Sequence, residues 1–175
     1  MKYVIVGCGR VGAALAEALD NDGHEVLIVD TSTRAFDRLS SEFKGQAIRG
    51  DGTDEDVLRR AGAERADVLL ALTEGDNRNV MAAQVAREKL NVDKAIAKIN
   101  DPVRAAAYAE LGIATVCRTT MLTDAILGHL GLRKTGMPSV IAAVPHVHED
   151  GAGPVASPGA AGAGPATAEA QAQRS

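Results

Sequence analysis

Short unbroken apolar runs alternate with stretches in which apolar residues recur every three or four positions, and the alternation persists from Met1 to Leu132. Runs of the first kind predict buried strands. They are Tyr3 to Val6, Glu25 to Val29 closing on Asp30, Ala47 to Arg49, Val68 to Leu72, Ala95 to Ile99 and Ile113 to Cys117. Stretches of the second kind predict helices. They are Val11 to Leu19, with Val11, Leu15 and Leu19 on one face; Thr31 to Phe43, capped by Ser32 or Thr33 and facing inward through Ala35, Phe36, Leu39 and Phe43; and Asp54 to Arg60, capped by Thr53. Three more follow: Val80 to Leu90, Val103 to Leu111 opened by Pro102, and Thr120 to Leu132. The last carries an apolar stripe of Met121, Leu122, Ala125, Ile126 and Leu130. Thr73 to Asn79 reads as a polar loop.

Strands that alternate with helices imply a mostly parallel sheet with right-handed crossovers. The expected fold is therefore α/β, a doubly wound, mostly parallel six-stranded sheet of the Rossmann kind. One domain over residues 1–135 accounts for all of the periodic sequence. Residues 136–175 read as a linker and a disordered tail, since Gly, Ala and Pro dominate from Gly151 onward without periodicity.

In such a sheet ligands sit beyond the carboxyl ends of the strands. The first strand runs into Gly7-Cys8-Gly9-Arg10-Val11-Gly12, the G-x-G-x-x-G spacing. There the first glycine permits a tight turn, the second lets backbone approach a pyrophosphate, and the third lets helix pack on strand. Asp30, followed by Thr31, closes the second strand and is placed to accept the hydroxyls of an adenosine ribose. Its charge disfavours a 2′-phosphate, so NAD or an adenine nucleotide is expected over NADP, although Arg34 lies nearby. Asp51, Gly52 and Thr53 follow the third strand, Thr73 and Glu74 the fourth, and Lys98 lies in the fifth. Arg10 is placed to reach a phosphate or an acid of a neighbouring subunit. Simpler roles exist for several of these: Asp30 as a cap for Thr33, Thr53 as a helix cap alone, and Lys98 as a solvated lysine on an edge strand.

Composition narrows the classes further. With 46% hydrophobic residues the 175-residue chain can bury a core, and that core is aliphatic, since Phe and Tyr number two each and Trp is lacking. The formal net charge of −4 and the scarcity of aromatic platforms argue against nucleic acid as a partner. Cys8 and Cys117 form no C-x-x-C pair and read as free thiols of a reducing compartment, Cys8 as a tolerated small residue rather than a redox sensor. No basic leader with a long apolar region precedes the first strand, and a cytoplasmic location is expected. His24, His129, His146 and His148 lack metal-ligand spacing, and no nucleophile elbow or P-loop is present.

The order of motifs resembles the RCK (KTN) N-terminal family, the nucleotide-binding regulatory subunits of Trk/Ktr-type potassium uptake systems. The resemblance covers about Met1 to Leu132 and rests on VIVGCGRVG, Asp30, GDGTD at Gly50 to Asp54, ADVLLALTEGDNRN at Ala66 to Asn79, and AKINDPVRAAAYAELGI at Ala97 to Ile113. It implies a cytoplasmic, non-enzymatic gating subunit that binds NAD(H) or ATP/ADP and acts on a potassium-translocating membrane subunit. On matching positions it places phosphate contacts on Gly7 to Val11, the ribose on Asp30, the adenosine near Asp51 and Gly52, and further contacts on Thr73, Glu74 and Lys98, where the family often has arginine. It also implies a homodimer or larger ring assembled through the Thr120 to Leu132 helix. Many family members carry a second C-terminal lobe, where this chain has its Gly/Ala/Pro-rich stretch. Two alternatives stay open from the residues: a small NAD-dependent oxidoreductase, since the fold hosts many activities, and a ligand-free interaction module.

Overall fold

A computed structural model describes residues 1–143. Seven strands form one sheet: β1 (Lys2–Val6), β2 (Glu25–Asp30), β3 (Gln46–Arg49), β4 (Val68–Ala71), β5 (Lys94–Ile99), β6 (Ala114–Cys117) and β7 (Val140–Ile141). They lie in the order β3-β2-β1-β4-β5-β6-β7, with every neighbouring pair parallel except β6 and β7. The order reverses between β1 and β4, which creates the crevice where doubly wound sheets bind ligands.

Five α-helices connect or follow the strands: α1 (Arg10–Asn21), α2 (Glu55–Arg60), α3 (Asp76–Leu90), α4 (Pro102–Glu110) and α5 (Arg118–His129). Alternation of side chains along each strand divides the core in two. On one face Ile5, Val26 and Ile28 pack with Ala13 and Ala16 of α1 and with Ala35. On the other, Val4, Val6, Leu27, Val29, Leu69, Ala97 and Ile99 pack under α2, α3 and α4. Both faces are aliphatic, in keeping with helices on each side of a parallel sheet.

Several sequence expectations change in detail. The sheet gains β7, two residues from the stretch read as linker, because the chain returns after α5 and pairs antiparallel with the β6 edge. The tail reading from residue 144 onward lies outside the described residues. Between β2 and β3 the chain forms only a short 3₁₀ helix, Thr33–Arg38, and Ser32 at its start makes no side-chain capping bond. Asp54, not Thr53, caps α2, accepting from the amides of Asp56 and Val57. Asp101 caps α4 in the same manner, with Pro102 in its first turn. The stretch read as the loop Thr73 to Asn79 turns helical at Asp76, so Asn79 belongs to α3.

The inward face of α1 is Gly12, Ala13 and Ala16, whereas Val11 and Leu15 are exposed. Close approach is the reason. A Cβ at Gly12 would stand 1.9 Å from the carbonyl oxygen of Gly7, so helix and strand touch backbone to backbone and only small side chains fit between them. The α5 stripe is likewise left uncovered by the described residues. Thr120 is the one buried residue of α5, while Leu122, Ile126 and Leu130, four residues apart, are 61%, 52% and 62% exposed. Among the described residues no helix is long and apolar enough to cross a membrane.

Candidate functional site

At the carboxyl ends of β1 to β4 the sheet opens into a cleft of about 600 Å³. It gathers Gly7, Cys8, Gly9, Arg10, Asp30, Thr31, Asp51, Gly52, Thr53, Thr73 and Glu74, which are spread over four loops in the sequence. Val11, Gly12 and Lys98 do not line it. Val11 points to solvent from α1, Gly12 is buried against Gly7, and Lys98 lies further along, in β5.

The glycine loop owes its shape to backbone geometry. Gly7 has φ +104°, in the left-handed region, and a Cβ there would meet the amide nitrogen of Thr73 at 2.9 Å. Gly9 caps α1 without a side chain to fill the capping position, and nothing stands within 4 Å of where its Cβ would be. The first amides of α1 therefore lack a side-chain partner and face an open approach. A helix start of this kind favours a phosphate, through both its free N–H groups and the helix dipole.

Asp30 has a structural task as well. Its Oδ2 accepts the Cys8 amide at 2.8 Å and its Oδ1 accepts the Ser32 amide at 2.8 Å, so it ties the glycine loop to the end of β2. This replaces the simpler expectation of a cap for Thr33. An ionised carboxylate offers about four acceptor sites, which leaves room on each oxygen for a ribose hydroxyl. Cys8 itself is fully buried, with its thiol donating to the Ala35 carbonyl at 3.3 Å. Burial, reinforced by the Asp30 carboxylate, pushes this thiol above the usual cysteine range, which suits a packing residue and not a reactive thiolate.

Asp51 Oδ1 accepts both the Thr53 amide at 3.0 Å and the Thr53 hydroxyl at 2.9 Å. Those two bonds hold its carboxyl below the usual range, so it stays an acceptor at neutral pH.

Lys98 is not the solvated lysine of an edge strand. It stands in the interior strand β5 and is only 6% exposed, with Nζ 3.8 Å from Glu74 Oε1. Burial lowers its pKa, with the Glu74 carboxylate pushing it back up. Arg118 Nη1 approaches Glu74 Oε2 at 3.7 Å, so Glu74 lies between two cations at the ends of β5 and β6.

Three residues of this region are not among the expected site residues. Asn79, fully buried, accepts from the Thr73 amide at 2.8 Å and hydroxyl at 2.7 Å, and donates to the carbonyls of Thr73 at 3.0 Å and Lys98 at 2.8 Å. It staples the β4 loop to β5 and sets where Thr73 stands. With Asn79 read as the end of a polar loop, the sequence offered no signal for this role. Arg38 and Arg78 also line the cleft, and only their positions shortly after strand ends hinted at it.

Comparison with known proteins agrees with this geometry. The family model for the TrkA-N domain matches residues 3–119. A Trk system potassium uptake protein TrkA from Streptomyces coelicolor is 47% identical over 130 residues, covering 74% of this chain and 58% of the relative. The corresponding protein of Azorhizobium caulinodans is 34% identical over 148 residues, covering 81% of this chain and 31% of the relative. The chain thus spans well under two thirds of the length of either. Among solved structures, the TrkA-N domain of the inner membrane protein ybaL from Escherichia coli is similar, with a TM-score of 0.66 and 25% identity over 74% of this chain and 96% of that one. The NAD(P)-binding domain of an exopolyphosphatase-related protein from Archaeoglobus fulgidus is similar too, with a TM-score of 0.62 and 25% identity over the same shares. With the match running from β1 into α5, the chain belongs to the TrkA-N domain family.

Proposed function

We propose that the chain is a non-enzymatic, nucleotide-binding regulatory subunit of a potassium uptake system, located in the cytoplasm and attached to the membrane through a potassium-translocating partner. The observation that carries the reading is the pairing of an uncapped helix start at Gly9 with the acceptor Asp30 in one cleft. Phosphates go to the amides of Gly9 to Val11, aided by Arg10, and the ribose goes to Asp30. The adenosine end lies by Asp51 and Gly52, and Thr73, Glu74 and Lys98 serve the distal half of NAD(H) or the terminal phosphates of ATP or ADP. The names of the TrkA relatives and the NAD(P)-binding neighbour support the two halves of this reading, potassium uptake and a nucleotide site. Among the described residues the cleft lining offers no His or Tyr as a proton donor, which favours sensing over dehydrogenation.

The exposed α5 stripe supplies the second element. Two chains pack Leu122, Ile126 and Leu130 against each other, and nucleotide shifts gating by binding one arrangement of the pair more tightly than the other. A coupling of about 1–3 kcal/mol is ordinary for such a switch. A thermal-shift panel of NAD, NADH, ADP and ATP tests the site. Stabilisation by at least one of them, lost in Asp30→Ala, is expected; no shift with any at millimolar ligand refutes the reading.

A further inference from the structure

A carboxylate is an unexpected neighbour for a phosphate, and Glu74 supplies one. It lines the cleft, its side chain is 84% exposed, and it makes no side-chain hydrogen bond among the described residues. It stands instead between two cations from different strand ends, with Oε1 3.8 Å from Lys98 Nζ and Oε2 3.7 Å from Arg118 Nη1. Both separations exceed hydrogen-bond length, so the carboxylate balances charge without being locked in place. Exposed ion pairs of this kind are worth little and are given up to a better-placed partner.

Lys98 needs a closer anion than the fold supplies. Its side chain is buried in the interior of the sheet, yet Nζ meets no acceptor within hydrogen-bond reach among the described residues. A buried ammonium left in that state is costly. The other acids at the ends of β4 and β5 are committed. Asp76 Oδ1 accepts from the Asn100 amide at 3.0 Å and from Asn100 Nδ2 at 2.8 Å, and Asp101 caps α4. The backbone around Glu74 is pinned on both sides, Thr73 by Asn79 and Asp76 by Asn100, so the part free to move is the Glu74 side chain. Arg118 adds a connection outward, since it is the first residue of α5.

We infer that Glu74 is a displaceable counter-ion: it holds Lys98 and Arg118 until an anionic end of the ligand claims them, so that binding of such a ligand breaks the tie between the β4 loop and the start of α5. This rests on the nucleotide reading above. Glu74 then opposes the ligand it touches, because a carboxylate and a phosphate at one pair of cations repel each other. The opposition grows with the charge at the ligand's distal end and vanishes for a ligand that has none. Glu74 thus sets a threshold that sorts ligands by charge, and its displacement reports occupancy to α5.

Calorimetric titration of the whole chain with ATP and with adenosine, in wild type, Glu74→Gln and Asp30→Ala, tests the threshold. Glu74→Gln should bind ATP roughly 3- to 10-fold more tightly than wild type, and adenosine no differently. The gain should shrink as salt rises, which a change of shape would not do. Hydrogen exchange over α5, at a concentration where sedimentation shows one assembly state, tests the tie. ATP should speed exchange in the first turns of the wild-type helix by roughly 2- to 5-fold. In Glu74→Gln exchange should already be fast, and ATP should add nothing. Weaker or unchanged ATP binding in Glu74→Gln, while Asp30→Ala loses it, overturns the inference and leaves the nucleotide reading standing. So does an equal gain for adenosine, or α5 exchange that ATP does not change. A wild type that binds neither ligand overturns the inference, and the nucleotide reading falls with it only if NAD, NADH and ADP fail as well.

Discussion

Asp30 Oδ2 receives the backbone N–H of Cys8 across 22 positions of sequence, at 2.8 Å. The strand-end acid is therefore part of the glycine loop's scaffold before it touches any ligand. Hydrogen bonds from backbone amides to a carboxylate are charge-assisted, and removing the acceptor strands two donors. Asp30→Ala should lower the unfolding free energy by about 1–3 kcal/mol without nucleotide present. Urea unfolding checks this, and an unchanged midpoint would mean that Asp30 serves only the ligand.

Gly12 makes the backbone contact that seats α1 on the sheet. In Gly12→Ala the new methyl would fall 1.9 Å from the Gly7 carbonyl oxygen, a clash with backbone that no side-chain rotation relieves. The helix must move away, at a cost of about 1–3 kcal/mol or more. Gly9→Ala, whose added carbon meets nothing within 4 Å, should leave stability within about 0.5 kcal/mol by the same measurement.

These two residues also mark what was legible in the sequence. Gly7, Gly9, Gly12 and Asp30 were readable because a fixed spacing after an apolar strand has one geometric meaning, and the alternation of runs carried the mostly parallel, doubly wound sheet with it. What escaped depends on contacts between distant segments. The inward face of α1 follows the small residues Gly12, Ala13 and Ala16, with Leu19 of the expected stripe partly buried against the core but Val11 and Leu15 exposed, because helix-to-strand distance is set by Gly12. Burial of Lys98 comes from its place in the middle of the sheet, which its own neighbours in sequence do not reveal. Asn79 looked like one more polar loop residue, since its partners Thr73 and Lys98 come together only in the fold.

Lys98 gives a pH prediction with a definite sign. Burial lowers its folded pKa below the unfolded value, so the charged group opposes folding at neutral pH. The unfolded chain holds the proton more tightly, and stability from this group rises as pH passes the folded value toward about 10.4. Lys98→Met should therefore raise the thermal midpoint at neutral pH, with a margin that shrinks as pH approaches that range. A margin that grows with pH would contradict the assignment.

Leu122, Ile126 and Leu130 form a stripe that the described part of the chain does not cover. Sedimentation velocity should find wild type as a dimer or larger, and the double variant Leu122→Glu with Ile126→Glu as a folded monomer. A monomeric wild type at tens of micromolar would remove α5 as the assembly surface.

The central claim is that the cleft between Asp30 and the α1 amides is a nucleotide sensor's site. Isothermal titration of the purified chain with NADH and with ADP tests it most directly. The account predicts saturable one-to-one binding of at least one of them, abolished by Asp30→Ala, without turnover of the nucleotide. No binding of either at millimolar concentration, or binding that Asp30→Ala leaves untouched, would contradict it.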